Sequence, residues 1–152
     1  MSIVARLEQA GLAPEQELAA LIEQARGDGA VVSFTGLARP NSEGGQNVDR
    51  LVLDHHPSLT LQSLQDIAVE AAARFDIGHV RVVHRCGEIA AGEAIVFAGA
   101  SSLHRRAAFE AADYLMDRLK TEAVFWKREV GESGSAWIEP TEADYADRGR
   151  WG

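Results

Sequence analysis

Residues 101–120 read SSLHRRAAFEAADYLMDRLK and predict the longest helix of the chain. One face of this helix carries an apolar residue at every fourth position, namely Leu103, Ala107, Ala111, Leu115 and Leu119. Ser101 or Ser102 is the expected N-cap, because a serine hydroxyl can accept a hydrogen bond from a free N–H group of the first turn. The helix is expected to end near Lys120-Thr121 and to lie against a sheet.

Predicted strands flank this helix on both sides. Ala94 to Gly99 precedes it, and Ala123 to Val130 follows it and pairs as a hairpin with Trp137-Ile138 across a turn at 132–135. Upstream, the pattern predicts strands at 30–37, 51–53 and 80–83, helices opening at Pro14 and Pro57, a loop at 39–47 and turns at 86–93. Helices and strands mix without strict alternation, which favours an α+β fold with a mixed, antiparallel-rich sheet and helices packed on it.

Length, charge and cysteine content limit the class of protein. The 152 residues match a single domain, predicted at 1–139, with a C-terminal tail at 140–152 that can be flexible. The net charge of −8 argues against nucleic acid or an anionic membrane as a partner. No apolar run approaches the roughly 18 residues of a membrane span and no signal pattern is visible, so a cytoplasmic location is predicted. The single cysteine, Cys86, excludes an internal disulfide and a cysteine-based zinc site.

The chain contains thirteen arginines but only two lysines, Lys120 and Lys127. Arginine stays protonated at any workable pH, whereas a partly buried lysine can lose its proton and act as a base or nucleophile. Helical periodicity places Lys120 beside Met116 and Phe109, and strand alternation places Lys127 beside Phe125. Both ammonium groups are therefore expected to emerge from apolar surroundings. The alternative is that both are ordinary exposed lysines at a helix end and a strand edge.

A second cationic group opens the long helix. His104, Arg105 and Arg106 follow a strand at the helix N-terminus, where free N–H groups and the helix dipole favour an anion. A phosphate site is therefore predicted, although the arginines could instead pair with carboxylates such as Glu110. Lys120 lies about fifteen residues from Arg105, which is roughly 22 Å of helix. Either there are two sites, or one pocket lies between two chains related by a twofold axis, and we favour the second.

Five motifs in this order resemble the family of large catalytic subunits of molybdopterin synthase. They are GAVVSFTGLAR at 29–39, HRCG at 84–87 with Gly92-Glu93, SLHR at 102–105 with Ala108-Phe109, DRLK at 117–120, and FWKRE at 125–129 followed by Trp137. The resemblance extends from about residue 3 to 139, and the order and spacing of the motifs make it specific. It implies an α/β-hammerhead-like fold within the α+β class, and no metal or other cofactor is expected.

The resemblance implies a sulfurtransferase of molybdenum cofactor biosynthesis, which converts cyclic pyranopterin monophosphate to molybdopterin by installing the dithiolene sulfurs. The implied sulfur donor is a small ubiquitin-like subunit with a C-terminal Gly-Gly thiocarboxylate, whose tail enters a pocket of the large subunit. Large subunits of the family form a homodimer and each binds one small subunit, which gives a heterotetramer. The family also places the pocket at the dimer interface.

Site residues carry over by motif. Lys120 and Lys127 match the essential catalytic lysines of the family. The implied substrate-binding residues are Arg39, His104, Arg105, Phe34 and Met116, of which the first three contact the phosphate and pterin. Lys120 is assigned to the thiocarboxylate tail, and Lys127 to proton transfer and pterin binding.

The sequence departs from the family pattern at three places near this site. The segment before Trp126 reads Ala123-Val124-Phe125, where the family commonly has a proline. His56 stands where a tyrosine is usual. Thr141 stands where some members supply a basic residue to the anion pocket, and Arg148 or Arg150 of the predicted tail could replace it.

Other functions that the sequence could suggest involve Cys86, the histidines or binding without catalysis. Cys86 is interpreted as a packing residue rather than a persulfide carrier, and no metal ligand is predicted among His55, His56, His79 and His84. The alternative function is a non-catalytic module that binds a ubiquitin-like tail or a phosphate ligand.

Overall fold

A computed structural model describes residues 1–42, 44–132 and 134–152. In these ranges the chain forms eight strands and four helices, which confirms the predicted α+β class. In chain order they are β1 (Ser2–Glu8), α1 (Pro14–Gln24), β2 (Ala30–Leu37), β3 (Arg50–His55), α2 (Leu59–Arg74), β4 (His79–Arg85), β5 (Gly87–Ala90), β6 (Ala94–Ser102), α3 (Arg105–Glu122), β7 (Phe125–Gly131), β8 (Gly134–Ile138) and α4 (Glu142–Gly149). None of the described helices is both long and apolar enough to cross a membrane.

The first sheet has the strand order β1-β4-β6-β2 and carries helices on both faces. β1 and β4 run parallel, and the other two pairs are antiparallel. α2 and α3 pack on one face through a core that contains Leu64, Val82 and Leu115. α1 packs on the opposite face, where Leu21 meets Phe97. The long helix therefore lies against a sheet, as its apolar stripe predicts.

The second sheet has the order β5-β3-β7-β8 and is antiparallel throughout. Leu53 and Ile89 from this sheet form a small core with Ile95 of the first sheet and Phe125. The mixed, antiparallel-rich pairing predicted from the sequence is confirmed, and it is divided between two sheets. The predicted hairpin is confirmed by the pairing of β7 with β8, although Ser133 of its turn lies outside the described residues.

Two strands were not predicted. β1 is a short edge strand whose charged residue Arg6 forms an ion pair with Glu17 of α1 at 2.8 Å, so its pairing depends on tertiary contacts rather than on a local apolar pattern. β5 occupies part of the segment predicted as turns. It is only four residues long and begins at Gly87, which has a positive φ of 85°. A glycine at such a position is also typical of a turn, so the sequence pattern predicted turns here.

The predicted N-cap of α3 is wrong. Ser101 and Ser102 both belong to β6, and the N-cap position is occupied by His104. Ser102 still serves the helix, since its hydroxyl accepts a hydrogen bond from the N–H group of Ala108 at 3.1 Å. Leu103 precedes the helix and is 65% exposed, so the buried stripe starts further along the chain than predicted.

The segment at 140–152 forms a helix where the sequence predicts a tail. Thr141 caps α4 by accepting a hydrogen bond from the N–H group of Asp144 at 3.1 Å, and the Asp144 carboxylate accepts one from the N–H group of Thr141 at 2.9 Å. Beyond the helix, the ring of Trp151 packs edge-on against Phe75 and Tyr114. The last dozen residues are therefore folded onto α2 and α3.

Candidate active site

A cavity of about 420 Å³ lies where the two sheets meet the C-terminal end of α3. It brings together five of the seven residues predicted for the site, namely Phe34, Arg39, Met116, Lys120 and Lys127. Phe34 and Arg39 come from the end of β2 and the residues after it, and Met116 and Lys120 from one face of α3. Part of the predicted loop that follows Arg39 is described, but Glu43 lies outside the described residues.

The two lysines are positioned by the short connection between α3 and β7. Lys120 lies in the last turn of α3, and Lys127 is the third residue of β7. Between them, the carbonyl of Val124 accepts a hydrogen bond from the buried hydroxyl of Thr60 at 2.5 Å, and its N–H group donates to Ser63 at 3.1 Å. Because both partners belong to α2, these hydrogen bonds hold the connection against that helix. The positions of the two lysines relative to each other are therefore fixed.

Lys127 lies in the interior of the second sheet, between Leu53 of β3 and Ile138 of β8. Its side chain is half-buried, and desolvation together with the nearby charge of Lys120 lowers its pKa from 10.5 to about 8. The carboxylate of Asp144 acts in the opposite direction and raises this pKa. Lys127 therefore titrates close to physiological pH, as a residue that transfers protons should.

Lys120 differs from Lys127 in exposure. Its residue is exposed at the rim of the cavity, above Met116 and Leu119. The prediction of apolar surroundings thus describes Lys127 better than Lys120. An exposed ammonium at the mouth of a cavity is placed to meet a group that enters from outside.

His84 also lines the cavity and was not predicted as a site residue. Its buried ring stacks on Phe125 at 4.4 Å between ring centroids, and burial lowers its pKa from 6.5 to about 4, aided by the charges of Lys127 and Lys120. Nδ1 lies 2.8 Å from the carbonyl oxygen of Arg85, and a carbonyl can only accept. His84 is therefore neutral with Nδ1 protonated, which leaves Nε2 as an acceptor. The sequence did contain a signal for His84, because strand alternation places this polar residue at a position of β4 that faces the core.

Acidic residues from three elements also line the cavity. They are Glu129 on β7, Glu139 after β8 and Asp144 on α4. Glu129 could have been found from the sequence, because it lies two residues from Lys127 on the same strand and so shares its face. Asp144 could have been found from the pattern Thr141-Glu142-Ala143-Asp144, which is typical of a capping box at a helix start.

Thr141 lines the cavity. It stands at the position where the family pattern includes a basic residue in some members. The two arginines that could have replaced it pair with carboxylates of α3 instead. Arg148 binds Glu122 at 2.9 Å, and Arg150 binds Asp117 at 2.7 Å. Neither arginine belongs to the cavity lining, so the tail does not supply the anion contact.

His104 and Arg105, the other two predicted residues, lie at the opposite end of α3. With Arg106 they line a second cavity of about 430 Å³, and their side chains are exposed. The start of β2 comes very close here, since a Cβ atom on Gly29 would lie 2.2 Å from the carbonyl oxygen of Leu103. Within one chain the structure keeps this cationic cavity apart from the lysines, in agreement with the estimate from helix length.

The lysine cavity has the groups needed for acid–base chemistry on an anionic substrate. It offers one amine that titrates near pH 8, one exposed ammonium and one neutral imidazole with a free lone pair. Among the described residues, no group of three or more His, Cys, Asp or Glu side chains is placed to hold a metal ion. The chemistry of these residues points to proton transfer and to polarisation of a carbonyl or phosphate.

Comparisons with known proteins agree on one family. A family model described as "MoaE protein" matches residues 7–122. The chain is 48% identical over 124 residues to the "Molybdopterin synthase catalytic subunit" of Escherichia coli, covering 82% of each chain. It is 43% identical over 146 residues to the protein of the same name from Pseudomonas aeruginosa, covering 96% of this chain and 97% of that one. A solved structure, "Molybdopterin biosynthesis MoaE protein" from Burkholderia ambifaria, superposes with a TM-score of 0.82 at 34% identity and covers 100% of this chain and 99% of its own.

Proposed function

The chain belongs to the MoaE family, and we propose that it is the catalytic subunit of a molybdopterin synthase. In this reaction sulfur passes from the C-terminal thiocarboxylate of a small ubiquitin-like partner to cyclic pyranopterin monophosphate, and the dithiolene of molybdopterin is formed. The proposal rests on the observation that Lys120 and Lys127 line the same cavity. The pKa of about 8 at Lys127 is the physical reason to treat this cavity as a reaction site.

Lys120 and Lys127 have different proposed roles. Lys120 stands exposed at the mouth, where the tail of a partner protein would arrive. There an ammonium polarises the thiocarboxylate carbonyl. Alternatively, after the thiocarboxylate sulfur has bonded to the pterin, a neutral amine attacks the carbonyl carbon of this thioester, and the C–S bond breaks so that the sulfur stays on the pterin. Lys127 lies deeper and titrates near neutral pH, so it is assigned to proton transfer at the bound pterin.

We further propose that the phosphate and pterin of the substrate are held by Arg39 together with His104 and Arg105 of a second copy of the chain. Arg39 lies in the lysine cavity, whereas the other two lie at the far end of α3. A twofold dimer that placed the N-terminal end of one α3 against the C-terminal end of another would join the two cavities into one site. Phe34 and Met116 would give this site its apolar wall. Two small subunits on such a dimer make a heterotetramer, and the cytoplasmic location stays a prediction.

The Lys120→Ala variant tests the proposal directly. Molybdopterin formation from thiocarboxylated partner and cyclic pyranopterin monophosphate is expected to fall at least about 100-fold, because the carbonyl loses its electrophilic partner. Binding of the partner, measured by isothermal titration calorimetry, is expected to remain largely intact. Arg26→Ala is the matched control, since this arginine side chain is 77% exposed and lies outside both cavities. Normal turnover by Lys120→Ala would contradict the catalytic role assigned to Lys120, and absence of molybdopterin formation by the wild-type protein itself would favour a non-catalytic binding module.

A further inference from the structure

The C-terminal helix α4 forms one wall of the lysine cavity. Pro140 and Thr141 line the cavity ahead of the helix, and Asp144 lines it from the first turn. The capping box between Thr141 and Asp144 uses one carboxylate oxygen, Oδ2, to accept the N–H group of Thr141 at 2.9 Å. This bond fixes the direction of the Asp144 side chain, so its negative charge has a defined place in the cavity wall.

A latch at the end of the chain holds α4 in this position. The indole of Trp151 packs edge-on against Phe75 and Tyr114, with ring centroids 5.7 and 5.5 Å away, and its Nε1 donates to Asp117 at 2.7 Å. The backbone carbonyl of Trp151 accepts a hydrogen bond from Arg74 of α2 at 2.5 Å. Aromatic packing and polar bonds at one residue thus tie the end of the chain to both α2 and α3.

We propose that Asp144 is a positioning residue for Lys127: the C-terminal helix, tied to α2 and α3 by Trp151, holds this carboxylate in the wall of the cavity that Lys127 also lines. The sulfur-transfer role of Lys127 in this inference rests on the proposed function. The electrostatic pairing itself does not, because it is a property of the free protein.

Lys127 is faced by charged and titratable groups from each element around it. They are Arg39 after β2, His84 on β4, Lys120 on α3, Glu129 on β7, Glu139 after β8 and Asp144 on α4. Lys120 lowers the pKa of Lys127 and Asp144 raises it, in addition to the lowering by burial. Among these groups, Asp144 lies on α4, the helix that the contacts of Trp151 tie to the rest of the protein, so its position depends on those contacts. The C-terminal helix therefore partly offsets the effect of burial and of Lys120 on Lys127.

The Asp144→Asn variant removes the charge and keeps an oxygen that can accept the Thr141 N–H group, so the cap is preserved. The two lysines of the chain make the measurement simple. With ¹³C-labelled lysine, NMR gives two sets of side-chain signals, which a Lys120→Arg variant assigns. The pKa of Lys127 is expected to fall by about half a unit in Asp144→Asn, the size typical of one partly exposed ion pair. Glu142→Gln, which removes a carboxylate from the same turn but outside the cavity lining, is expected to leave it unchanged.

A second variant tests the latch without touching the cavity. Trp151→Ala removes the packing on Phe75 and Tyr114, and the pKa of Lys127 is expected to fall in the same direction as in Asp144→Asn. The Asp144→Asn, Trp151→Ala double variant should fall no further than Asp144→Asn alone, because both changes remove the same charge from the same place. An unchanged pKa in Asp144→Asn, or an equal fall in Glu142→Gln, overturns the proposal.

The titration needs neither substrate nor partner, so its result is separate from that of the proposed function. If Lys127 shifts as expected but the wild-type protein forms no molybdopterin, the positioning role stands and the sulfur-transfer role fails. If the wild-type protein is active, the pH profile of Asp144→Asn should move to lower pH by the same half unit. An active enzyme in which neither the pKa nor the pH profile responds to Asp144→Asn would leave the proposed function standing and remove this inference.

Discussion

At the C-terminal end of α3 the lysines border a cavity in which Lys127 is half-buried, whereas at its N-terminal end His104 and Arg105 both stand exposed around a second cavity. Burial lowers the pKa of Lys127 to about 8 at the first end. At the second, the side chains keep contact with water on a helix terminus that attracts anions. The first end combines three cationic side chains with three carboxylates around a desolvated lysine, so it is suited to proton transfer. The second is exposed and cationic, so it is suited to anchoring a phosphate.

This difference explains why the chain uses lysine at one end and arginine at the other. A guanidinium stays charged and can bind a phosphate with two hydrogen bonds, but it cannot give up its proton at a workable pH. An amine in a desolvated position can do so. The same helix joins both kinds of group and is too long for them to meet within one chain.

The sharpest way to break the comparison is to exchange the cations. Lys127→Arg keeps the positive charge and removes the titration near pH 8, so molybdopterin formation is expected to fall at least about 100-fold. Arg105→Lys also keeps the charge, and activity is expected to fall by less than about tenfold, because a lysine still attracts the phosphate. The measurement is initial rate against pH. The inflection near pH 8 of the wild-type enzyme should be absent from the residual rate of Lys127→Arg.

Equal losses in the two variants would contradict the idea that one end acts by proton transfer and the other by charge alone. An inflection near pH 8 that survives in Lys127→Arg would contradict its assignment to Lys127. Thermal melts of both variants serve as the control for folding.

A mixing experiment sharpens the comparison by asking whether the two ends meet across chains. Lys120→Ala and Arg105→Ala protomers are each expected to be nearly inactive alone. In a twofold dimer with shared sites, a mixed dimer has one site with both changes and one with neither, so random reassortment should restore about a quarter of wild-type activity. Activity is measured after unfolding and refolding the two variants together. If mixing restores nothing above the sum of the separate variants, the two ends do not share a site.

The parts of this fold that were predicted from the sequence are those with a strong local pattern. The helix stripe of Ala111, Leu115 and Leu119 and the strand over 30–37 were predicted because each element repeats its own period. β1 and β5 were missed because their pairing is made with strands distant in sequence. The cap at Ser101 or Ser102 was wrong because β6 continues through both residues before α3 begins.

The site was predicted where chemistry restricts residue type and missed where only position matters. Lys120 and Lys127 stood out because the chain otherwise uses arginine. Asp144 was missed because the capping-box pattern at 141–144 predicts only the start of a helix, and its place at the cavity depends on α4 folding against α3. The depth of His84 also depends on tertiary structure, since its burial comes from stacking on Phe125 of the other sheet.

The smallest expected effect concerns the two histidines near the ends of α3. His84 lines the cavity at the C-terminal end and is buried, whereas His104 lies at the N-terminal end and is exposed. The pKa of His84 is lowered to about 4 in the folded protein and is near 6.5 in the unfolded chain, so the unfolded chain binds a proton first as the pH falls. The free energy of unfolding contributed by this group is fully present above about pH 6.5 and is lost progressively down to about pH 4. The loss is on the order of 3 kcal/mol. Urea unfolding at several pH values in this range measures it.

His84→Asn is the variant that should reduce this pH dependence, because an asparagine amide can still donate to the carbonyl of Arg85 but does not titrate. His104→Asn changes the exposed histidine at the other end of α3 and should keep the wild-type dependence, since it leaves the buried ring of His84 in place. Carboxylates contribute to acid unfolding in all three proteins, so the difference between the two variants isolates the buried ring. An equal change of the unfolding free energy with pH in both variants would contradict the idea that burial distinguishes the two ends of α3. The lowered pKa of Lys127 depends on the same effect of burial.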